Sequence, residues 1–149
     1  ENIFKGYWGM EEKTKESFKD DGFFITGDLA KKDENGYFTI VGRDKDMIIS
    51  GGLNVYPKEI EDVINELPNI TESAVFGVQH DDFGEAVVAA VVTTDDKNDG
   101  SQILDYTKDK IAKYKQPKKI IFMSNLPRNS MGKVQKNKLR ENNKSLFKS

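Results

Sequence analysis

Five residues have the type and setting to act on an anionic ligand. Lys133 sits in Pro127-Arg128-Asn129-Ser130-Met131-Gly132-Lys133-Val134. A compact charge on a long stem, in a loop that carries glycine, can be brought up to an anion. It can equally be one solvated lysine of a basic tail. Asp28 closes Phe24-Ile25-Thr26-Gly27-Asp28. Its carboxylate can accept two hydroxyls at once, as a vicinal diol requires, although Thr-Gly-Asp is also a common turn string. Arg43, fifteen residues on, offers a planar fork to a phosphate or a salt bridge to Asp28, Asp44 or Asp46. Gly51 and Gly52 lack a Cβ, so a ligand can pass close to the backbone or the chain can turn with φ > 0. An ordinary tight hairpin explains that pair as well. His80 is the only histidine; with no nearby metal-binding or nucleophilic partner it reads as local turn chemistry. There is no cysteine, hence no thiolate nucleophile, no disulfide framework and no cysteine-based zinc site.

The elements that would position these residues are legible in outline. From Gly42 to Glu61 the pattern predicts strand, charged connector, strand, glycine turn, strand and a Pro57-led helix, with Glu59 and Glu61 near its positive end. That helix should run to Leu67, because Ile60, Val63, Ile64 and Leu67 recur at i, i+3, i+4, i+7. Strands are expected over Ile70–Gly77 and Ala86–Thr94, the second almost wholly apolar and so central. A polar loop Asp95–Gly100 follows, then a helix Ser101–Ala112 with Leu104, Thr107 and Ile111 on one face. A strand Lys119–Met123 and a polar helix from Gln135 to about Lys144 complete the series. This is an α+β arrangement, a small β-sheet with flanking helices. Residues 1–43 predict less: strand-like Ile3–Trp8 and Phe23–Ile25, a short helix Glu11–Phe18, and strands Asp28–Lys32 and Tyr37–Val41 about a turn at Asp33–Gly36. That is too little to bury a core of its own. It reads as a strand-rich stub, the edge of a larger body.

Composition fits a water-soluble globular chain of 149 residues: 36% hydrophobic with nine Phe, 32% charged, net charge −2. No apolar run approaches the ~20 residues of a membrane helix, and Glu1-Asn2-Ile3-Phe4-Lys5 is not a secretory signal; a cytoplasmic protein is expected. The charge is uneven. From Lys108 onward there are 13 Lys/Arg against 2 Asp/Glu, and before it 10 against 23. Such asymmetry points to an anionic partner for the last third, or to exposed helices that are merely solvated. A non-catalytic basic module binding RNA or a protein is one reading. No aromatic platform for stacking bases accompanies it, so nucleic acid is not the expected partner.

The string Gly42-Arg43-Asp44-Lys45-Asp46, followed by Gly51-Gly52-Leu53-Asn54-Val55-Tyr56-Pro57-Lys58-Glu59-Ile60-Glu61, resembles the hinge segment of the adenylate-forming (ANL) superfamily. Asn54-Val55-Tyr56-Pro57 is similar to its acid–CoA ligases rather than to carrier-protein adenylation domains. Within the ligases, Gly51 to Glu59 and Met131-Gly132-Lys133-Val134-Gln135-Lys136-Asn137 are most similar to malonyl-CoA synthetases, with a medium-chain, aryl or other acyl-CoA ligase of the same lid as the alternative. The resemblance implies that residues 1–44 are the C-terminal edge of a large N-terminal AMP-binding domain and residues 45–149 the lid. It implies an AMP-forming acyl-CoA synthetase with ATP and CoA as substrates, Mg2+ arriving with ATP, and the missing N-terminal domain as partner. By the same resemblance Lys133 is the catalytic lysine of adenylation, Asp28 and Arg43 are nucleotide-binding, Lys45 is the hinge, and Gly51 and Gly52 border the CoA passage. No metal ligand is expected in the segment. The ATP phosphate loop and acid pocket would lie upstream, so the segment alone is expected to be inactive.

Overall fold

The computed structural model describes residues 2–95 and 99–148. Residues 96–98 of the expected polar loop lie outside the described residues. The main sheet has five strands. β3 (Ile48–Ser50) and β4 (Leu53–Val55) form a hairpin, β5 (Ile70–His80) and β6 (Gly84–Thr93) a longer one, and β7 (Lys119–Phe122) runs parallel to β6. The order is β4-β3-β6-β5. β3 meets β6 only where Ser50 pairs with Gly84, and β7 takes Val88 to Val91 further along. β6 is therefore the centre of the sheet, as its apolar run predicts.

That run is continuous because both faces of β6 are covered. Val87, Ala89 and Val91 point to one side, with Val75, Ile48 and Val55. There they meet Ile60 and Ile64 of α2 (Pro57–Ile64) and Ile103 of α3 (Ser101–Lys108). Val88 and Ala90 point to the other, with Ala74, Phe76 and Val78, against Leu126 and Leu139 of α4 (Lys136–Asn142). The fold is thus three layers, two helices over the sheet and one beneath.

All four helices are shorter than expected: α1 spans Glu11–Glu16, α4 spans Lys136–Asn142, and α2 and α3 are trimmed at their C-terminal ends. α2 stops at Ile64, and Glu66 and Leu67 bond back to Val63 and Ile64 in tighter turns. Pro68 disfavours the helical conformation for the residue before it, which unwinds the last turn. α3 ends at Lys108, and its buried stripe is Ile103, Thr107 and Ile111, spaced four apart. Leu104 is only half-buried. The helix starts after Gly100, whose left-handed backbone lies against Ile120, and this fixes the face it presents.

The first 43 residues are organised differently. A short α1 (Glu11–Glu16) is followed by β1 (Asp28–Lys32) and β2 (Phe38–Arg43), an antiparallel pair about the Asp33 turn. The expected strand Ile3–Trp8 is absent, and Phe23–Ile25 makes only an isolated bridge, Phe18 to Phe24. A strand needs a neighbour to take its backbone bonds, and here the contacts are between rings instead. Phe4 lies 5.0, 5.8 and 5.3 Å from Tyr7, Phe18 and Phe24. No described residue up to Arg43 is buried. Trp8 is 99% exposed, and Ile3, Phe4, Met10, Phe23, Ile25, Tyr37, Phe38 and Ile40 are exposed with it.

Candidate active site

Asp28 opens β1 and Arg43 closes β2, and the register sets them directly opposite each other. The Arg43 Nε donates to Asp28 Oδ1 at 3.0 Å. Upstream, the Thr26 hydroxyl accepts the Asp28 N–H at 3.0 Å. This shapes the turn into the strand. Gly27 has φ +72°, and its carbonyl accepts the Asp44 N–H at 3.0 Å. The salt-bridge reading of Arg43 therefore holds, with Asp28 as the acid. The pair is half-exposed and borders a cleft of about 290 Å³ shared with Gly42, Asp46, Glu61 and Lys136. Residues from both sides of Lys45 thus face one space.

Lys45 is exposed, in a single 3-10 turn Asp44–Asp46 between extended Arg43 and Met47. With Thr26, Gly27, Arg43 and Asp44 it borders a smaller recess of about 190 Å³. Gly51 and Gly52 form the two-residue turn of the β3–β4 hairpin, with φ +58° and +78°. Two consecutive positive φ values demand such residues in this hairpin class. Open space surrounds the position of an added Cβ at each. The turn accounts for both glycines, and neither reaches the Asp28–Arg43 cleft.

The Lys133 loop is a closed hairpin, Arg128 bridging to Val134. The Asn129 side-chain oxygen accepts the N–H of Met131 at 3.0 Å and of Lys133 at 2.9 Å, and Gly132 turns with φ +78°. Arg128 donates to the Gly132 carbonyl at 2.6 Å and also pairs with Glu72. The backbone of Lys133 is thus held in the hairpin through Asn129. Its side chain is exposed and makes no ion pair among the described residues.

Three residues on, Lys136 lines the cleft and meets Glu61 at 2.6 Å, each about 15% exposed, at 16% and 14%. Arg140 reaches Asp46 at 3.3 Å. Sequence reasoning passed over Glu61, Lys136, Asp46 and Arg140 as partners. The i, i+4 cations of α4 were visible, but their acids lie as far as 94 residues away. Six of the thirteen cations from Lys108 onward are tied to acids in this way, among them Lys108, Lys110 and Lys115. Lys115 holds Glu59 at 2.7 Å, and this hydrogen bond raises its pKa. The basic third is therefore partly neutralised. His80 accepts the Asp82 N–H and packs against Phe83 and Phe147, a turn residue as expected. Glu85 accepts the Ile49 N–H at 2.8 Å, also a structural role. Among the described residues no group of three or more His, Cys, Asp or Glu is placed to hold a metal ion. None of their helices is long and apolar enough to cross a membrane.

Residues 59–133 match the model of the AMP-binding enzyme C-terminal domain, and the chain belongs to that family. It is 46% identical over 139 residues to the long-chain-fatty-acid–CoA ligase FadD13 of Mycobacterium tuberculosis, covering 93% of this chain and 27% of that protein. It is 43% identical to the mitochondrial medium-chain acyl-CoA ligase of Bos taurus, covering 93% and 23%. The chain thus spans about a quarter of the length of these relatives. Among solved structures, MatB from Rhodopseudomonas palustris matches over 99% of this chain. Its ATP-bound form gives a TM-score of 0.89 at 58% identity and 29% of that chain. The apo form gives 0.73 at 59% and 30%. With identity equal, the two differ in arrangement, and this chain is closer to the ATP-bound one.

Proposed function

We propose that this chain is the hinge and lid of an ATP-dependent, AMP-forming acid–CoA ligase. Residues 1–44 are the edge of its N-terminal domain and residues 45–149 its lid. The observation that carries the reading is the shared cleft. Asp28 and Arg43 before Lys45, and Asp46, Glu61 and Lys136 after it, line one cavity. The unburied first 43 residues and their exposed apolar side chains support a missing body against them.

In this reading Asp28 accepts the ribose hydroxyls and Arg43 steadies the nucleotide. A carboxylate oxygen of the acid bonds to the α-phosphorus as the bond to pyrophosphate breaks. The Lys133 ammonium offsets the charge that gathers on the phosphate and acyl oxygens. The lid then turns about Lys45 and presents the Gly51–Gly52 turn to the CoA passage. The CoA sulfur bonds to the acyl carbon, its proton is lost, and AMP leaves with the acyl C–O electron pair. Joining acid and thiol directly is uphill, and the adenylate supplies the leaving group.

Malonate is the proposed acid, supported by the Gly51–Glu59 and Met131–Asn137 strings and by the 58% identity to MatB. A longer-chain acid is the second reading, favoured by the two relatives named above, a long-chain-fatty-acid–CoA ligase and a medium-chain acyl-CoA ligase. ATP–pyrophosphate exchange by the full-length protein, with malonate against medium- and long-chain acids, decides between them. In the same protein, Lys133→Ala should slow adenylation about 10²-fold or more, as loss of a preorganised charge does. Transfer from supplied acyl-adenylate to CoA should change far less. Equal losses in both half-reactions would remove the role given to Lys133. The chain by itself should not turn over.

A further inference from the structure

We propose that Arg140 is a positioning residue: through Asp46 it holds the lid side of the hinge, so that rotation is confined to residue 45. This rests on reading residues 45–149 as a lid. The backbone entering the joint is held on the stub side, where the Asp44 N–H donates to Gly27 at 3.0 Å and Arg43 pairs with Asp28. On leaving the joint it is held on the other side. The Asp46 carboxylate accepts from Arg140 Nη2 at 3.3 Å, both side chains less than a third exposed. Lys45, between them, is exposed and makes no hydrogen bond or ion pair recorded for its side chain. Among the described residues one hydrogen bond spans it, from the Met47 N–H to the Asp44 carbonyl at 3.1 Å.

Arg140 is a firm anchor because α4 is itself anchored. Leu139 is 1% exposed in the lower core, and Lys136, one turn earlier, is paired with Glu61 of α2. Beyond Asp46 the chain enters β3 at Ile48, fully buried. One residue thus has soft dihedrals while both neighbours are fixed to different bodies, the arrangement a hinge requires. The two MatB structures, at 58% and 59% identity, give TM-scores of 0.89 and 0.73 against this chain. With the Asp46 clasp released, bending spreads from residue 45 into residues 46 and 47. Lys133, carried on the same rigid domain, then loses its aim.

The test uses the full-length protein with nitroxide labels at Asn35→Cys and Gln102→Cys, both exposed, and electron–electron distance distributions with and without ATP. Arg140→Met should broaden the ATP-state distribution. It should also slow both half-reactions about ten-fold, given that misplacement by about 1 Å can cost about 10²-fold. The exchange Asp46→Arg with Arg140→Asp should restore width and rate. Unchanged width in Arg140→Met overturns the proposal, even where thermal stability or rate falls, because Arg140 is then structural only. A broadening that the exchange leaves in place also overturns it. A wild-type distribution identical with and without ATP overturns the lid reading itself. In that case the wild-type control fails before any variant is compared, so the two failures are distinguishable.

Discussion

Glu61 of α2 bonds both the outer strand and α4, and its replacement gives a graded test of how the three are joined. β5 is the outer strand, so its Val75 N–H has no strand to bond; it donates to Glu61 Oε1 at 2.7 Å. The same oxygen meets the Lys136 ammonium at 2.6 Å, with exposures of 16% and 14%. Glu61→Ala leaves a largely buried ammonium and an unbonded N–H, and removing one member of such a pair costs about 3–5 kcal/mol. About 1–3 kcal/mol of that is the orphaned N–H. Glu61→Gln keeps an acceptor for Val75 and loses only the charge, so it should cost about 1.5–3 kcal/mol, the range for a hydrogen bond to a charged group. Adding Lys136→Met to Glu61→Gln should recover most of that loss, a coupling of about 1–3 kcal/mol. Urea unfolding followed by backbone circular dichroism reads all four proteins; Trp8 is too exposed to report. Amide exchange at Val75 should accelerate in Glu61→Ala and not in Glu61→Gln. Additive costs for Glu61→Gln and Lys136→Met, or equal exchange at Val75 in both Glu61 variants, would refute the shared-acceptor account.

Two further outcomes follow from geometry and charge. Gly52→Ala should cost about 1–2 kcal/mol from left-handed backbone strain alone, since nothing lies within 4 Å of an added Cβ; a cost near zero in urea unfolding would show that the turn relaxes to another type. Glu66 accepts from Lys110 at 2.5 Å and from Tyr106 at 2.7 Å, and these bonds lower its pKa below 4.5. Its contribution to stability is present above 4.5 and is lost as pH falls through the lower folded value. Glu66→Gln should therefore flatten the acid limb of the urea midpoint against pH, and an unchanged acid limb would count against the α2–α3 clasp. Lys110 is shifted upward by the same bond, so its share is present below 10.5 and fades only above it.

Much of the architecture was legible because it rests on local period and punctuation. The apolar run of β6, the Pro57 start, the Ile60–Ile64 stripe and the Gly51–Gly52 turn are each set within a few residues by sterics and burial. The candidate site residues were chosen on side-chain type, since a diol acceptor, a phosphate fork and a reaching cation each need a particular side chain. What local pattern could not supply was pairing at a distance. Ile3–Trp8 has strand-forming residues, yet without a neighbouring strand its rings cluster instead. α3 turns on its axis so that Ile103 rather than Leu104 is buried, because Gly100 packs against Ile120 of a later strand. Lys133 reads in sequence as part of a glycine-bearing loop, yet Asn129 and Arg128 close it into a hairpin. The acids that hold Lys136 and Arg140 come from α2 and from the joint itself. Charge carries no address along a chain: any of 25 acids suits an arginine, and only the folded backbone decides which one stands within reach.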